Sequence, residues 1–306
     1  MELHRLQCFQ VVVEEGGFKR ATTRLHLTQP ALSYQIKQLE EELGAQLLYR
    51  RPGGIVPTEA GRLLLHYAQL IDAAVLRAER AVRDVAEQAA GEIRIGTVNS
   101  IGTHLLPEVL RGVRERCPTA RPNVSIRDCA ANLEELIADK LDVAVVSNPP
   151  ADKRLRFQKL LEEQVCLVCG EGHPLFGVAS VEPSDVTDMQ FVALSTETPT
   201  GARTKEHLER LGLHVEPAMT SENVETIRSI VEDGKALAFL PEMVVREACA
   251  SPARPHGRLW RCQMDPPLMR TIVLVTAREL AESRLVKCFV TQLRRVAHEL
   301  ARAHAA

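Results

Sequence analysis

No stretch of this 306-residue chain approaches the roughly 20 consecutive apolar residues that a helix needs to cross a bilayer. A membrane-spanning helix is therefore not expected. The start, Met1-Glu2-Leu3-His4-Arg5, carries an acid and runs on at helical spacing, so a signal peptide is not expected either and the protein should be cytoplasmic. The net charge is only −2, which gives no overall pull toward nucleic acid or acidic headgroups. A DNA reader built from this chain would have to gather its cations locally. Also missing are a Gly-x-Ser-x-Gly elbow, a phosphate-cradling Gly-rich loop and a His-Glu-x-x-His, and the ten histidines are dispersed. Catalysis is not expected. Eight scattered cysteines suggest buried thiols in a reducing compartment. Cys166 and Cys169 do form a Cys-x-x-Cys, but no second pair at zinc-ligand spacing accompanies them. They lie in the run Gln164 to Gly170, which reads as a buried strand whose residues three apart point to opposite faces, so neither a metal nor another cofactor is expected.

What is present is organised around Thr28 to Glu42. Thr28 is a plausible N-cap and Pro30 suits a first helical turn. Leu32, Ile36, Leu39 and Leu43 recur at spacings of four, three and four, which predicts one apolar stripe that packs inward. Gln29, Ser33, Tyr34 and Lys37 fall on the other side, where the polar side chains could read base edges and the lysine could reach a phosphate. Alone, the segment reads first as an ordinary amphipathic surface helix. Its neighbours argue otherwise. Leu3, Leu6, Phe9, Val12 and Val13 mark a first helix stopped by Gly16-Gly17, Phe18 to Leu25 gives a short second one, and His26-Leu27-Thr28 is a tight turn into the third. Short helix, turn and polar-faced helix make a helix-turn-helix. Residues 47–57 then read as two short strands around Pro52-Gly53-Gly54, with Arg50 and Arg51 placed beside the third helix to meet phosphates.

Phe9, Gly17-Phe18, Ala21, Leu25, Thr28-Gln29-Pro30-Ala31-Leu32-Ser33, Ile36, Leu39-Glu40, Leu43-Gly44, Leu47-Leu48, Arg50 and Thr58-Glu59-Ala60-Gly61 together resemble the N-terminal domain of LysR-type transcriptional regulators, colinearly over some sixty residues. The chain departs from that pattern at Gly17, where the family usually has serine, at Thr22, where alanine is frequent, and at Tyr34, where a longer polar residue is common. Tyr34 lies on the proposed reading face, so this departure bears on base preference and leaves the fold alone. The resemblance implies a DNA interface of Thr28, Gln29, Pro30, Ser33, Tyr34, Lys37, Arg50 and Arg51.

From Thr58 to about Ala89 the chain reads as one helix, spanning on the order of 45 Å at 1.5 Å per residue. Leu64, Ala68, Ile71, Val75, Ala78, Val82 and Val85 form a heptad-like seam. Such a seam wants a partner, and a two-fold homodimer would double the reading helix. The expected domains are residues 1–57 (winged helix-turn-helix), 58–90 (coiled-coil linker and dimerisation helix) and 91–306 (regulatory domain).

In the last two hundred residues, strands alternate with helices, which predicts a mostly parallel sheet covered on both faces. The stretch 98–103 reads as a loop before a helix from Leu105. Strands are expected near 92–97, 124–126, 143–146, 165–168, 191–194, 218–220, 236–240, 259–262 and 271–275. Helices are expected near 133–140, 203–211, 224–233 and 285–300. Gly91 to Gly96, Leu105-Leu106-Pro107, Leu141 to Ala144, His173-Pro174-Leu175 and Leu240-Pro241 are similar to the effector domain of the LysR family, an α/β periplasmic-binding-protein-like fold of two subdomains. Here subdomain I would be about 91–150 plus a late crossover and subdomain II about 151–265. The resemblance implies an effector cleft drawn from Asn99, Ser100, Ile101, Gly102, Thr103, Ser147, Asn148, Thr196, Thr200, Arg203, Ser221 and Asn223, with Arg203 as the nearby cation and Glu222 opposing an anion. It also implies a homodimer, commonly paired into a tetramer, on double-stranded DNA, with RNA polymerase a further partner compatible with that role. Two other readings stay open at this stage: a thiol-based redox regulator, and a solute-binding module with a helical appendage.

Overall fold

The computed structural model describes every position except 52–53, 87–90, 247, 250–257, 278–282 and 306, and the side chains at 50, 73, 76, 77, 80, 81, 83–86 and 303–305 also lie outside the described set. The chain divides into two compact units, Met1–Val85 and Ala86–Ala306.

The first unit is built from α1 (Leu3–Glu14), α2 (Phe18–Leu25), α3 (Gln29–Leu43), the antiparallel hairpin β1 (Leu48–Arg51) and β2 (Gly54–Pro57), and α4 (Glu59–Ala86). The Thr28 hydroxyl accepts from the Ala31 amide, and Pro30 occupies the first turn of α3, as their positions in the sequence predict. Leu6, Phe9, Val12, Ala21, Leu32, Ile36, Leu39 and Leu47 form the core. Each large member contributes about 1.5–3 kcal/mol by leaving water. Leu43 does not join the stripe assigned to it. It is 41% exposed, because the left-handed Gly44 ends α3 immediately after it and it lies off the face that packs into the core.

The seam assigned to α4 is corrected over its first half. Ala68 is fully buried in this same core, and Leu64 and Ile71 are half-buried against it. Three short helices cannot enclose Phe9 by themselves, so the first turns of α4 close the core from the fourth side. Gly61 permits the approach: a Cβ there would meet the Leu47 carbonyl oxygen at 2.1 Å. Val75 is half-buried, Ala78 and Val82 are exposed, and the Val85 side chain lies outside the described residues.

The second unit begins with β3 (Glu92–Thr97), α5 (Asn99–His104), α6 (Leu106–Arg116), β4 (Arg121–Ile126), α7 (Cys129–Ile137) and β5 (Val143–Ser147). It continues through β6 (Leu155–Gly170), β7 (Val192–Leu194), α8 (Pro199–Arg210), β8 (Met219–Ser221), α9 (Val224–Val231), β9 (Leu237–Pro241) and α10 (Glu242–Val245). It ends with β10 (Leu259–Cys262), β11 (Leu268–Ala277) and α11 (Arg284–Ala305). The main sheet runs β10-β6-β11-β5-β3-β4, with β9 also on β6, while β7 and β8 form a separate parallel pair. A mostly parallel sheet is therefore not what forms. Among the described strand pairs of the main sheet, β3 with β4 and β3 with β5 are parallel, and β6 and β11 are antiparallel to all their described neighbours. The reason is the 16-residue β6, of which the sequence reading identified only the apolar end. Its first half is charged and partly exposed, and it carries no apolar run. Residues 99–103, within the stretch read as a loop, instead lie in the helix α5, with Ile101 in the core. Arg94 ties β3 to the start of β5. Its Nη2 donates to Asp142 Oδ1 at 2.6 Å and its Nη1 to the Asp139 carbonyl at 2.6 Å.

Candidate DNA interface and effector cleft

On α3, Thr28, Gln29, Pro30, Tyr34 and Lys37 are exposed and Ser33 is half-buried, while Leu32, Ile36 and Leu39 face the core. The N-terminal half thus offers a hydroxyl, an amide and a phenol on one outward face, a set able to bond to base edges. The three glutamates at the other end have separate structural tasks. Glu40 Oε1 accepts from the Leu47 and Leu48 amides at 2.7 and 3.2 Å, Glu41 pairs with Lys37 at 3.5 Å, and Glu42 holds the N-terminal amine and Arg5. Glu40 therefore anchors the base of the hairpin. Its other strand docks on the turn between α1 and α2, where the Ile55 amide donates to the Gly16 carbonyl at 2.9 Å. Arg51 is exposed, with its guanidinium 6.0 Å from the Tyr49 ring centre, and the Arg50 side chain lies outside the described residues. Sequence reasoning passed over Lys19 and Arg20, both exposed on α2. Arg24 is committed to Glu14 and Glu15 at 2.7 and 3.2 Å. Local cations thus stay available although the chain as a whole is nearly neutral.

In the second unit a cavity of about 240 Å3 opens between the ends of β3, β5 and β7. Of the residues assigned to an effector site, Asn99, Ser100, Ser147, Thr200 and Asn223 line it. The others do not. Ile101 is core, Thr103 is exposed elsewhere on α5, and Gly102 packs against Ile126 and Thr97. Asn148 is used by the sheet, its Oδ1 accepting from the Thr271 amide at 3.0 Å. Ser221 Oγ accepts from the Asn223 amide, and Thr196 lines a different cavity. Arg203 is exposed and donates to the Met269 carbonyl at 3.1 Å. The N-caps of α7, α8 and α9, which are Asp128, Thr198 and Asn223, all lie on the cleft, so three helix N-termini meet there. Glu222 lines it as well.

The cleft holds a buried cation, Arg270, which sequence reasoning missed; Arg127 also lines it, exposed and 3.2 Å from Glu135. Arg270 sits on β11 directly opposite Glu163 on β6, and both are almost fully buried. Arg270 Nε donates to Glu163 Oε1 at 2.7 Å, Nη2 lies 2.6 Å from the same oxygen, and Glu163 Oε2 accepts from the Met243 amide at 2.9 Å. Arg270 Nη1 donates to Ser100 Oγ at 3.1 Å and to Thr200 Oγ1 at 3.4 Å. One guanidinium therefore joins the first turn of α5 to the first turn of α8. Both hydroxyls act as acceptors toward it, which leaves their own protons for a guest. A signal existed: Leu268, Arg270, Ile272 and Leu274 alternate at strand period, and a charge on the inward side of such a strand needs a partner. Nearby, His104 on α5 meets Glu225 on α9 at 2.6 Å. Burial alone would raise the Glu225 carboxyl, but hydrogen bonds from His104 and Arg228 outweigh it and hold the group below its ordinary range.

The two thiols of the Cys-x-x-Cys are not partners of each other. Cys166 and Cys169 are fully buried on opposite faces of β6, one in each of two core clusters. Burial pushes Cys166 up to about 12, and a hydrogen bond to Cys262 together with burial pushes Cys169 up. Cys129, which does line the cleft, is raised to about 11 by burial and by Asp128. Such thiols stay protonated near neutral pH and are poor nucleophiles.

Comparison with known proteins matches both units to a single family. Residues 3–62 match the model of the bacterial regulatory helix-turn-helix protein of the lysR family, and residues 86–298 match that of the LysR substrate binding domain. The transcriptional regulator CbbR of Cereibacter sphaeroides is 30% identical, over 84% of this chain and 86% of that protein. The nitrogen assimilation regulatory protein nac of Klebsiella aerogenes is 28% identical, over 88% and 86%. Among solved structures, full-length CbnR complexed with its target DNA superposes with a TM-score of 0.63 at 22% identity, covering 97% of this chain and all of that one. A full-length OxyR variant from Pseudomonas aeruginosa gives 0.66 at 22% identity, over 96% and 95%. The helix-turn-helix unit, the two-part α/β unit and both family matches agree, and this chain belongs to the LysR family of DNA-binding transcriptional regulators.

Proposed function

We propose that this regulator is switched by a small carboxylate that carries a donor group of its own, an amino or hydroxy acid being the simplest form, bound in the cleft around Arg270. The observation that carries the reading is the single guanidinium bonded to Ser100 on one side and Thr200 on the other. A carboxylate seated on those hydroxyls and on the N-termini of α8 and α9 draws the walls together, and the donor group faces Glu222 and Asp128. The bound and free arrangements then differ in affinity for DNA by the differential binding of the effector. Thermal shift of the full chain against matched carboxylates with and without an amino or hydroxyl group tests this. Stabilisation by the substituted acids supports it, and stabilisation by neutral or cationic compounds alone overturns it.

The DNA side of the proposal is that the outward face of α3 reads bases and Arg51 holds a phosphate. A two-fold dimer would present two such faces. The exposed apolar stripe of α4, with Leu63 at 61%, Tyr67 at 55% and Leu70 at 37% exposure, recurs at four and three and supports a partner copy there. No helix among the described residues is long and apolar enough to cross a membrane, which fits a place in the cytoplasm beside the chromosome. In gel shifts on the upstream region of its own gene, Gln29→Ala should weaken specific binding by about 1–3 kcal/mol. Arg51→Ala should weaken all sequences alike and lower the salt slope by about one. Unchanged specificity in Gln29→Ala would move the reading face elsewhere.

A further inference from the structure

A second cavity, of about 330 Å3, lies behind α8, walled by that helix, β7, β8 and the chain from 213 to 217. Its lining is largely apolar: Phe191, Leu208, Leu213 and Phe239, buried together in one core cluster, surround it, and Val192 and Leu194 of β7 add to its wall while packing in the core on the α9 side. Ala193 and Thr220, directly opposite each other on β7 and β8, also line it. An enclosed apolar space of about 150 Å3 holds one benzene, so this one has room for two fused rings. At its rim stand Lys205, Glu209, Glu216 and His214, all exposed, with Lys205 3.9 Å from Glu209. One lysine against two carboxylates disfavours an anionic guest.

The two cavities share a wall. Leu194 lines both, Thr198 to Thr200 face the cleft, and Gly201, Thr204, Lys205 and Leu208 face the second cavity. Thr204 Oγ1 donates to the Thr200 carbonyl at 2.8 Å. At Gly201 a Cβ would meet the Ser195 carbonyl oxygen at 2.1 Å, so the first turn of α8 rests directly on the chain leaving β7. Thr200 in turn bonds to Arg270.

We propose that this second cavity is a ligand site of its own, taking a two-ring aromatic molecule without negative charge, and that its occupancy reaches the cleft through α8. The site stands apart from the anionic effector of the cleft, so loss of either leaves the other intact.

Indole, tryptamine and indole-3-acetate, titrated calorimetrically into the full-length protein, serve as probes. Indole and tryptamine should bind with Kd below about 1 mM, and indole-3-acetate at least about tenfold more weakly. Ala193→Phe, which fills the space from its floor, should weaken indole by about tenfold or more. Should that variant fail to fold, as judged by circular dichroism, Thr220→Ile makes the same test from the opposite strand. Indole should also slow hydrogen exchange in peptides covering residues 199–204. No binding by indole or tryptamine, or binding indifferent to both substitutions, overturns the site. Binding without protection of residues 199–204 overturns the coupling.

Discussion

Removing the Arg270 guanidinium should be the most damaging single change in the regulatory unit. Arg270→Met keeps the length and much of the volume of the side chain but leaves the Glu163 carboxylate buried with the Met243 amide as its remaining partner among the described residues. Deleting one member of a buried pair costs about 3–5 kcal/mol, because the remaining charge loses its counter-ion and regains no water. For a unit of this size each kcal/mol moves the transition by about 2–4 °C, so the midpoint should fall by roughly 6–20 °C. Calorimetry on the full chain reads this as a shift of the regulatory-unit transition alone. Glu163→Gln placed on Arg270→Met removes the stranded charge and keeps an acceptor for the Met243 amide. The double variant should recover at least about half the loss, a coupling well above the few tenths expected of independent sites. A shift below that of about 1 kcal/mol in Arg270→Met, or no recovery in the double variant, would refute the claim that the pair is desolvated and mutually dependent.

Other outcomes follow from the same contacts. Leu63→Glu with Tyr67→Glu, on the exposed stripe of α4, should convert dimers to monomers in light scattering while the head keeps its stability within about 0.5 kcal/mol. Ala68→Glu should instead unfold the head, since it places a charge in its core; the reverse pattern would return the partner seam to Leu64, Ala68 and Ile71. At pH 8 in the native protein Cys166, raised to about 12, should resist thiol reagents until the chain unfolds, and Cys166→Ser with Cys169→Ser should leave regulation intact. Fast native labelling of Cys166 would contradict its burial. Glu225, depressed below its ordinary 4.5, adds stability that is full above that value and is lost as pH falls through the folded value. Urea melts between about pH 6 and 3 should therefore decline less steeply in Glu225→Gln, and an equal slope would count against the His104 contact.

The head was legible to single residues. Thr28, Pro30 and Gly44 punctuate α3 through their own backbone chemistry, and local signals of that kind need no partner. Cys166 and Cys169 divided between two faces of a strand for the same reason, since a period of two is a property of the chain alone. The family resemblance carried the two-unit plan, and five of the twelve residues assigned to the cleft lie on it. The failures share a cause. Leu64, Ala68 and Ile71 do form an apolar stripe, but a stripe does not say whether its own core or a second chain covers it. Arg203 lies near the cleft in sequence, and Arg270 reaches it only because β11 pairs with β6 across more than a hundred residues. The caps of α3, the two faces of the apolar end of β6 and the proposed reading end of α3 were thus legible in the sequence itself, because local periodicity and capping depend on residues within a turn or two. Which cation faces the cleft and which side of α4 is left uncovered were decided by tertiary packing alone. Desolvation and partner choice belong to surfaces that exist only once distant strands and helices have met.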